Sequence, residues 1–312
     1  MSKSYFITGG TGFLGRVISK NLAKNKNNFI KICDNNYRGY KNLSDLKKKN
    51  VKFIKGDIRD FRKVKKYLET NDVVIHLAYV NGTKFFYSKP DEVLEIGIKG
   101  LMNIIDGCKE KKVKKLILAS SSEVYNEPIK TPTTEKEPIK IPDIHNPRFS
   151  YSGGKILTEL MGINFGKKFF KKLIIFRPHN VYGPNMGNEH VIPELIDKIS
   201  KNEKKFTIQG SGKEVRSFIF IDDFYNAFQK VMNKGKHLEI YNIGNSEPIS
   251  IDYLTDMIKK NMNKKHLKVI KSKKLKGSIN YRLPDISKIK KLGYKQKTSL
   301  QDGLIKTIDW YS

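Results

Sequence analysis

The stretch Thr8-Gly9-Gly10-Thr11-Gly12-Phe13-Leu14-Gly15 decides the fold, because it joins an apolar run, Tyr5–Thr8, to an amphipathic run, Leu14–Ala23. Its glycines at positions 9, 12 and 15 have the spacing that lets backbone amides approach a pyrophosphate at the positive end of a helix. A strand, a glycine turn and a helix in this order predict a dinucleotide-binding turn. The expected cofactor contacts within it are Gly9, Gly12, Phe13, Leu14 and Gly15.

Apolar runs alternate with longer amphipathic stretches through the first 180 residues. The predicted strands are Tyr5–Thr8, Phe29–Cys33, Val51–Ile54, Val73–Leu77, Leu116–Ala119 and Leu173–Phe176, and the predicted helices are Leu14–Ala23, Val64–Leu68, Val93–Cys108 and Tyr151–Phe165. Strands that are apolar at consecutive positions are typical of a parallel sheet buried on both faces. The alternation predicts an α/β fold, a Rossmann-type doubly wound parallel sheet over residues 1–178.

The pattern changes after Arg177. Proline and glycine interrupt Asn180–Gly187, a helix is predicted over Val191–Lys201, and shorter elements follow to the last residue. We expect residues 179–312 to form mainly a smaller α/β C-terminal lobe that binds substrate, with some later segments returning to the first domain. The stretch Glu127–Phe149, rich in proline and threonine, is predicted to be an active-site loop.

The net charge of +30 raises the possibility of a nucleic-acid-binding protein. The 53 lysines and 8 arginines are, however, spread along the whole chain, whereas nucleic-acid binders more often cluster charge and use arginine forks. We therefore expect solvated basic faces that attract small anionic ligands, and no nucleic-acid partner. Affinity that is independent of sequence and collapses with salt would favour the alternative.

Other features of the composition indicate a cytoplasmic protein with no membrane partner. No apolar run approaches the ~20 residues that span a bilayer, and no signal peptide precedes the first strand. Cys33 and Cys108 lie among apolar neighbours, which is typical of reduced thiols. The histidines at 76, 179 and 190 lack metal-ligand spacing, so no metal site is expected.

Acidic residues follow the second and third predicted strands. Asp34 stands where a carboxylate would meet the adenosine ribose and repel a 2′-phosphate, which favours NAD over NADP. A turn-forming role is the alternative for Asp34, and Arg38 nearby keeps NADP open. The other expected cofactor contacts follow the ends of predicted strands: Asn35, Asp57, Ile58, Leu77, Ala78, Tyr79 and Pro178.

Tyr151 and Lys155 are four residues apart at the start of a predicted helix, so both point to one face. Lowering a tyrosine pKa from ~10 by about three units needs roughly 4 kcal/mol, which a nearby ammonium and a positive nicotinamide ring can supply together. Ser120-Ser121-Ser122 ends the fifth predicted strand and offers a hydroxyl to the same chemistry. The three elements predict an acid–base site built around Tyr151.

In these motifs the chain resembles the extended short-chain dehydrogenase/reductase family, in its NAD-dependent nucleotide-sugar epimerase/dehydratase branch. The resemblance covers nearly the whole chain and rests on these segments: the glycine turn, Asp34, His76-Leu77-Ala78, Ser120 to Tyr125, Tyr151-x-x-x-Lys155, Arg177 to Pro184, Arg216-Ser217-Phe218 before Asp222, and Tyr241 to Gly244. Two positions depart from the family pattern. Asn126 stands where a glycine is usual, and Gly97 stands where an asparagine often lies.

The resemblance implies roles for individual residues. Tyr151 would accept the proton of the sugar C4-hydroxyl while hydride passes to the nicotinamide, Ser121 would be the catalytic hydroxyl, and Lys155 would bind the nicotinamide ribose and tune Tyr151. The implied substrate contacts are Ser122, Asn180, Arg216 and Arg282. A surface salt bridge is the alternative for Arg282. The family also implies a nucleoside-diphosphate sugar as substrate and a homodimer formed through Val93–Cys108 and Tyr151–Phe165.

Glu123 separates the possible net reactions, which are 4-epimerisation, 4,6-dehydration and decarboxylation of the UDP-glucuronate type. Dehydratases and decarboxylases of this branch commonly carry Glu two positions after the catalytic hydroxyl, whereas plain 4-epimerases more often carry a small or neutral residue. Ser122 stands where dehydratases specific for thymidine-diphosphate-glucose have an acidic Asp. Two further alternatives are a rim role for Glu123 and a non-catalytic NAD-binding protein, which would be expected to have lost Ser121, Tyr151 or Lys155.

Overall fold

The computed structural model describes residues 3–37, 43–273 and 277–312, so Arg38 lies outside the described residues. The chain forms two compact units. The first comprises the described residues up to Val124 together with Ile139–Arg177 and Phe228–Tyr241. The second comprises Tyr125–Pro138, Pro178–Ala227 and the described part of Asn242–Ser312.

The described strands follow the apolar runs of the sequence. They are β1 Lys3–Thr8, β2 Asn28–Asp34, β3 Val51–Lys55, β4 Asp72–His76, β5 Lys115–Ala119, β6 Lys172–Pro178, β7 Val181–Tyr182, β8 Lys205–Gln209, β9 Val215–Arg216, β10 Ile219–Phe220, β11 Glu239–Ile243, β12 Ile249–Ser250, β13 Lys268–Ser272 and β14 Tyr281–Arg282. The six strands predicted in the first part of the chain correspond to β1–β6, with ends that differ by a few residues.

The described helices follow the amphipathic runs. They are α1 Phe13–Leu22, α2 Phe61–Tyr67, α3 Thr83–Ser88, α4 Pro90–Glu110, α5 Phe149–Phe169, α6 Val191–Lys201, α7 Ile221–Lys234, α8 Ile251–Asn261, α9 Ser287–Lys291 and α10 Leu300–Tyr311. Two short 3₁₀ helices lie at Ser44–Leu46 and Ser122–Tyr125. The stretch 127–148 contains no helix or strand among the described residues.

The principal sheet confirms the predicted doubly wound α/β fold. Its order within the described chain is β11-β6-β5-β4-β1-β2-β3, and β1 to β6 pair in parallel. In the register, Thr8 lies beside Cys33 of β2 on one side and beside His76 of β4 on the other. The carboxyl ends of three strands therefore meet at the glycine turn, which is where ligands bind in sheets of this topology.

Buried aliphatic side chains explain why this sheet forms. Phe6, Ile32, Val74 and Leu116 are less than 1% exposed, and residues of α2, α4 and α5 pack over one face. Because the central strands are covered on both faces, nearly every position in them is apolar rather than every second one. This hydrophobic burial is the dominant stabilising term for the first unit.

Local sequence signals set the ends of α4, one of the helices that pack on the sheet. Pro90 occupies its first turn, where a missing N–H is tolerated. Asp91 and Glu92 lie near the positive end of the helix dipole and Lys109 near the negative end. Just after the helix, Lys112 adopts a positive φ of 52°, a conformation that cannot continue an α-helix.

The second unit contains three small sheets in its described residues. They pair β10 with β7, β12 with β9 and β14, and β13 with β8. The amphipathic α6 buries Ile192, Leu195, Ile196 and Ile199 on one side, as the spacing of these residues predicts.

No helix in the described residues is both long enough and apolar enough to cross a membrane.

Candidate active site

Close backbone packing explains Gly9 and Gly15 in the turn after β1. Gly9 adopts a positive φ of 68°, its amide donates to Cys33 O (3.0 Å), and a Cβ there would lie 2.8 Å from Ala78 Cα. A Cβ on Gly15 would lie 2.1 Å from Gly9 O, so only glycine allows the helix to pack on the turn. A Cβ on Gly12 would meet only Gly9 O, at 3.4 Å. The turn is therefore open at Gly12, where a pyrophosphate can approach the backbone.

The N-terminus of α1 suits an anion. The helix begins at Phe13 immediately after Gly12, which is in an extended conformation and forms no side-chain cap. Its first turn, which includes Leu14, contains no acidic residue, so the positive end of the helix dipole is not neutralised within the helix. Phe13 and Leu14 are both half-buried at this end.

The Asp34 carboxylate holds the loop after β2 against the glycine turn. Its Oδ2 accepts a hydrogen bond from Thr11 N (3.1 Å), and its Oδ1 accepts one from Asn36 N (2.8 Å). Asn36 has a φ of 64°, so the turn-forming role weighed for Asp34 is present in the structure. A carboxylate can accept about four hydrogen bonds. Capacity therefore remains for ribose hydroxyls, and the residues present fit a dinucleotide.

Asp57 and Ile58, in the loop after β3, have different surroundings. Asp57 accepts two hydrogen bonds from the Arg59 guanidinium (3.1 and 2.8 Å) and one from Asn35 Nδ2 (3.1 Å). The hydrogen bonds from Arg59 lower the Asp57 pKa although partial burial opposes the shift. Ile58 lies in the hydrophobic core, where it fills the space beside Gly100, so its side chain is not available to a ligand.

Tyr151 and Lys155 lie one turn apart on α5 and are both buried, at 5% and 3% exposure. The Lys155 ammonium donates to Ala119 O at the end of β5 (2.7 Å) and lies 5.7 Å from the centroid of the Tyr151 ring. Burial lowers the Lys155 pKa to about 7, although the Glu159 carboxylate opposes the shift. The predicted pair is thus brought together in the first unit, with its lysine fixed against the sheet.

Aromatic rings surround Tyr151. Phe86 of α3 stacks on it with ring centroids 4.8 Å apart, and Tyr79, which follows β4, meets it edge to face at 5.2 Å. Offset-stacked and edge-to-face pairs are favourable ring geometries. The Tyr151 ring therefore has one fixed orientation relative to the helix.

Ser121, Ser122 and Glu123 follow β5, and each is at least half-buried. Ser121 Oγ accepts a hydrogen bond from Glu123 N (3.1 Å), so its own O–H is left to donate to a ligand. Ser122 is 4% exposed and Glu123 is half-buried in the 3₁₀ helix that begins there. Ser121, Glu123 and the Tyr151–Lys155 pair all belong to the first unit.

A buried ion pair fixes the base of this site, and sequence reasoning missed it. Arg177 Nε and Nη2 donate to the two oxygens of Glu159 (2.7 and 2.6 Å), and both side chains are less than 5% exposed. Ser120 Oγ donates to the same carboxylate. The network connects β5, α5 and β6. Its signal in the sequence was Glu159 at four residues after Lys155, on the helix face that is buried.

His76 is hydrogen-bonded to Thr8 of the neighbouring strand β1. Its Nδ1 lies 2.8 Å from Thr8 Oγ1, and burial together with the nearby Lys155 charge lowers its pKa to about 3. The imidazole is therefore neutral at physiological pH. Thr8 Oγ1 also accepts hydrogen bonds from the backbone of Leu77 and Ala78 (3.3 Å each), which positions the segment after β4.

Three of the predicted substrate residues, Asn180, Arg216 and Arg282, lie in the second unit, whereas Ser122 lies in the first. Arg216 and Arg282 are register partners on the parallel strands β9 and β14, so their Cα atoms are side by side. The Arg216 guanidinium donates to the carbonyls of Ile279 and Asn280 (2.8 and 3.3 Å), and Arg282 is 5% exposed. Asn180 has a φ of 37° and donates to Ser217 O (2.9 Å).

Asn242 is a second residue whose role sequence reasoning missed. Its side-chain oxygen accepts hydrogen bonds from Tyr125 Oη (2.7 Å) and His179 Nε2 (3.1 Å). Its amide donates to the carbonyls of Thr133 and Asp285 (3.0 and 3.2 Å). The Tyr241 to Gly244 motif therefore fixes the segment that leads into Asn180.

The model of the NAD-dependent epimerase/dehydratase family matches residues 5–244. The matched span includes the glycine turn, Ser121, the Tyr151–Lys155 pair and Arg216, and it ends before Arg282.

Individual proteins are similar over almost the whole chain. The dTDP-D-glucose 4,6-dehydratase of Homo sapiens is 30% identical over 99% of this chain and 90% of that protein. The UDP-glucose 4-epimerase of Thermotoga maritima, solved with UDP-glucose, is 26% identical with a TM-score of 0.88 over 99% of this chain and 98% of that one. The UDP-N-acetylglucosamine 4-epimerase of Methanobrevibacter ruminantium M1, solved with UDP-N-acetylmuramic acid, is 25% identical with a TM-score of 0.89 and the same coverage.

Proposed function

The chain belongs to the NAD-dependent epimerase/dehydratase family, and we propose that it oxidises the sugar of a nucleoside-diphosphate sugar at C4 as the first step of 4,6-dehydration. It is an NAD-dependent nucleotide-sugar enzyme, as its relatives are. The observation that carries the proposed chemistry is the buried Lys155 ammonium, one helical turn from Tyr151 and bonded to the end of β5.

The glycine turn and Asp34 would hold the NAD. The backbone at Gly12 and the start of α1 suit the pyrophosphate, and the Asp34 carboxylate suits the adenosine ribose. Beyond the turn, Leu77, Ala78 and Tyr79 follow the end of β4, and Pro178 is the last residue of β6. When bound, NAD would supply the hydride acceptor for oxidation at C4 and the hydride donor for the later reduction.

Tyr151 takes the proton of the C4-hydroxyl. Proton removal needs a phenolate at the moment of hydride transfer, and the adjacent Lys155 charge stabilises that anion in a dry site. Ser121 donates its O–H to the substrate oxygen, which keeps C4–O aligned with Tyr151. Arg216 and Arg282 would bind the pyrophosphate of the substrate, because two guanidinium forks match such a dianion.

Glu123 favours dehydration as the net reaction. Once C4 is a ketone, the C5 proton becomes acidic, and a carboxylate two residues after Ser121 can accept it. Ser122 favours the second candidate, 4-epimerisation, because it places a buried hydroxyl where an acid would assist the departing C6-hydroxyl. The 4-epimerases of similar structure agree with this second candidate.

The experiment that decides the reaction is incubation of the purified protein with UDP-, dTDP-, GDP- and CDP-sugars, followed by mass spectrometry. Loss of one water from the product supports dehydration, and a new isomer of unchanged mass supports epimerisation. Loss of carbon dioxide identifies a decarboxylase. No product from any sugar, with NAD bound, would contradict the proposed function.

Glu123→Gln tests the role of that carboxylate. The first half-reaction needs only Tyr151, Ser121 and Lys155, so the variant should still reduce bound NAD when given its substrate. The rate at which the dehydrated sugar forms should fall by at least ~10²-fold, since a general base has been lost. Reduced cofactor would therefore accumulate and can be followed by absorbance. Undiminished turnover in the variant would contradict dehydration and support the epimerase.

The outer faces of α4 and α5 support a homodimer. On α5, Leu157 and Leu160 are 37% and 58% exposed, and Leu94 and Ile98 of α4 are only half-buried. Two packed helices with exposed apolar side chains suit an isologous two-fold interface.

Light scattering should give twice the chain mass at micromolar concentration. Leu160→Glu should give a monomer, whereas Tyr253→Glu, an equally exposed site elsewhere, should stay dimeric; a monomeric parent contradicts the proposal.

We also place the enzyme in the cytoplasm and in the synthesis of sugar donors for polysaccharides. The two cysteines, Cys33 and Cys108, are buried free thiols, and burial raises the Cys33 pKa to about 12. Thiols in this state are typical of a reducing compartment.

A further inference from the structure

Tyr79 contacts both members of the Tyr151–Lys155 pair. The Lys155 ammonium lies 4.0 Å from the centroid of the Tyr79 ring, and the Tyr79 and Tyr151 rings meet at 87° with centroids 5.2 Å apart. A cation this close to a ring face is attracted by the ring quadrupole. The Tyr79 ring therefore interacts with the lysine through its face while it packs against the tyrosine.

Two glycines create the space for this ring. A Cβ at Gly97 of α4 would lie 2.1 Å from Tyr79 Oη, and a Cβ at Gly154 of α5 would lie 1.9 Å from the same atom. Glycine is a poor residue for a helix interior, so its presence at both positions is explained by the ring between the helices. Gly97 is also the position where the family resemblance led us to expect an asparagine.

The Tyr79 hydroxyl does not explain why the side chain is a tyrosine. Oη is buried and has no hydrogen-bond partner among the described residues, and burial raises the Tyr79 pKa. A buried hydroxyl without a partner is unfavourable. The interaction that compensates for it is therefore made by the ring, at Lys155 and Tyr151.

The charged and titratable groups that face Lys155 give its ammonium little other support. His76 on β4 is neutral, and Tyr151 on α5 faces the ammonium with its ring at 5.7 Å. Glu159 on α5 favours the charged form of Lys155, but its oxygens also accept hydrogen bonds from Arg177 and Ser120. Two aromatic rings of the described chain also lie near the ammonium, and the Tyr79 ring, at 4.0 Å from its centroid, is nearer than the Tyr151 ring, at 5.7 Å.

We propose that Tyr79 is a positioning residue for the reaction, whose ring face keeps Lys155 charged and whose packing orients Tyr151. The inference rests on the catalytic roles proposed above for Tyr151 and Lys155. It adds that Gly97 of α4 and Gly154 of α5 are glycines because the Tyr79 ring occupies the space between the two helices.

The test compares Tyr79→Leu and Tyr79→Phe in pH profiles of kcat/KM. Loss of the ring removes stabilisation of the ammonium, so Lys155 should lose its proton at lower pH. The alkaline limb of the Tyr79→Leu profile should move down by about one pH unit. Tyr79→Phe keeps the ring face, so its limb should match the parent, and its melting temperature should not fall because the hydroxyl it lacks has no partner.

A matched variant separates the Lys155 effect from general loosening of the site. Phe86→Leu removes the other ring packed on Tyr151, while the Lys155 ammonium lies over the Tyr79 ring. Its rate should fall without movement of the alkaline limb. A Phe86→Leu limb that moves as far as that of Tyr79→Leu would overturn the inference, as would a Tyr79→Leu limb at the parent position.

Gly97→Ala gives the same test without changing Tyr79 and serves if Tyr79→Leu does not fold. The added methyl group would displace the ring, and the limb should again move to lower pH. Gly107→Ala on the same helix meets only the flexible ends of Leu68 and Val64, so its limb should not move. Equal positions of the alkaline limb in the two alanine variants would overturn the inference.

Tyr151→Phe tests the catalytic roles on which the inference rests. If that variant is active, the proposed function fails whatever the Tyr79 variants show.

Discussion

Replacing Tyr151 with phenylalanine should reduce turnover by at least ~10²-fold, the usual effect of losing an acid–base group. The phenol is the group placed to take the C4 proton, and phenylalanine keeps the ring contacts with Phe86 and Tyr79. Folding and NAD binding should therefore be unchanged. The measurements are the steady-state rate, thermal unfolding and the NAD dissociation constant by calorimetry.

Tyr253→Phe is the matched control for Tyr151→Phe. It makes the same chemical change at a tyrosine that is 57% exposed on α8, so the rate should equal that of the parent. A Tyr151→Phe enzyme that retains more than about a tenth of the parent rate would refute Tyr151 as the base.

Replacing Glu159 with alanine should destabilise the protein by about 3–5 kcal/mol, the cost of leaving a buried partner without its counter-charge. Arg177 would keep its charge in a site where it is 2% exposed. Ser120 would lose its acceptor at the same time. Urea unfolding measures the effect.

The control for Glu159→Ala is Asp197→Ala. Asp197 pairs with Lys201 on the exposed side of α6, where both side chains are about half exposed or more. Exposed pairs of this kind contribute about 0–1 kcal/mol, so the unfolding curve should barely move. Equal effects of the two variants would contradict the view that the Glu159 network fixes the base of the site.

The sheet could be predicted because its residues carry a local pattern. The consecutive apolar positions of β1 to β6 and the glycine spacing after β1 are readable without any knowledge of tertiary contacts. β11 could not be placed at the edge of this sheet, because nothing in its short run Glu239–Ile243 specifies the distant strand β6 as its partner. Its partner is selected only when the chain folds.

In the candidate site, too, the local relations could be predicted and the long-range contacts could not. Tyr151 and Lys155 are related by helical spacing, which is local, and the structure places them together. The contact of Glu159 with Arg177 and that of Tyr79 with Lys155 join residues 18 and 76 positions apart. The burial of the Ile58 side chain in the core was likewise not predictable from its position after β3. Such contacts depend on packing rather than on local sequence.

The most direct test of the central claim, transient oxidation at C4, is rapid mixing of the NAD-loaded enzyme with its nucleotide sugar carrying deuterium at C4. The account predicts that reduced cofactor appears and decays within each turnover, and that its appearance is slower for the deuterated sugar than for the unlabelled one. Turnover with no reduced cofactor, or with equal rates of its appearance for the two sugars in a single-turnover experiment limited by that step, would contradict the account.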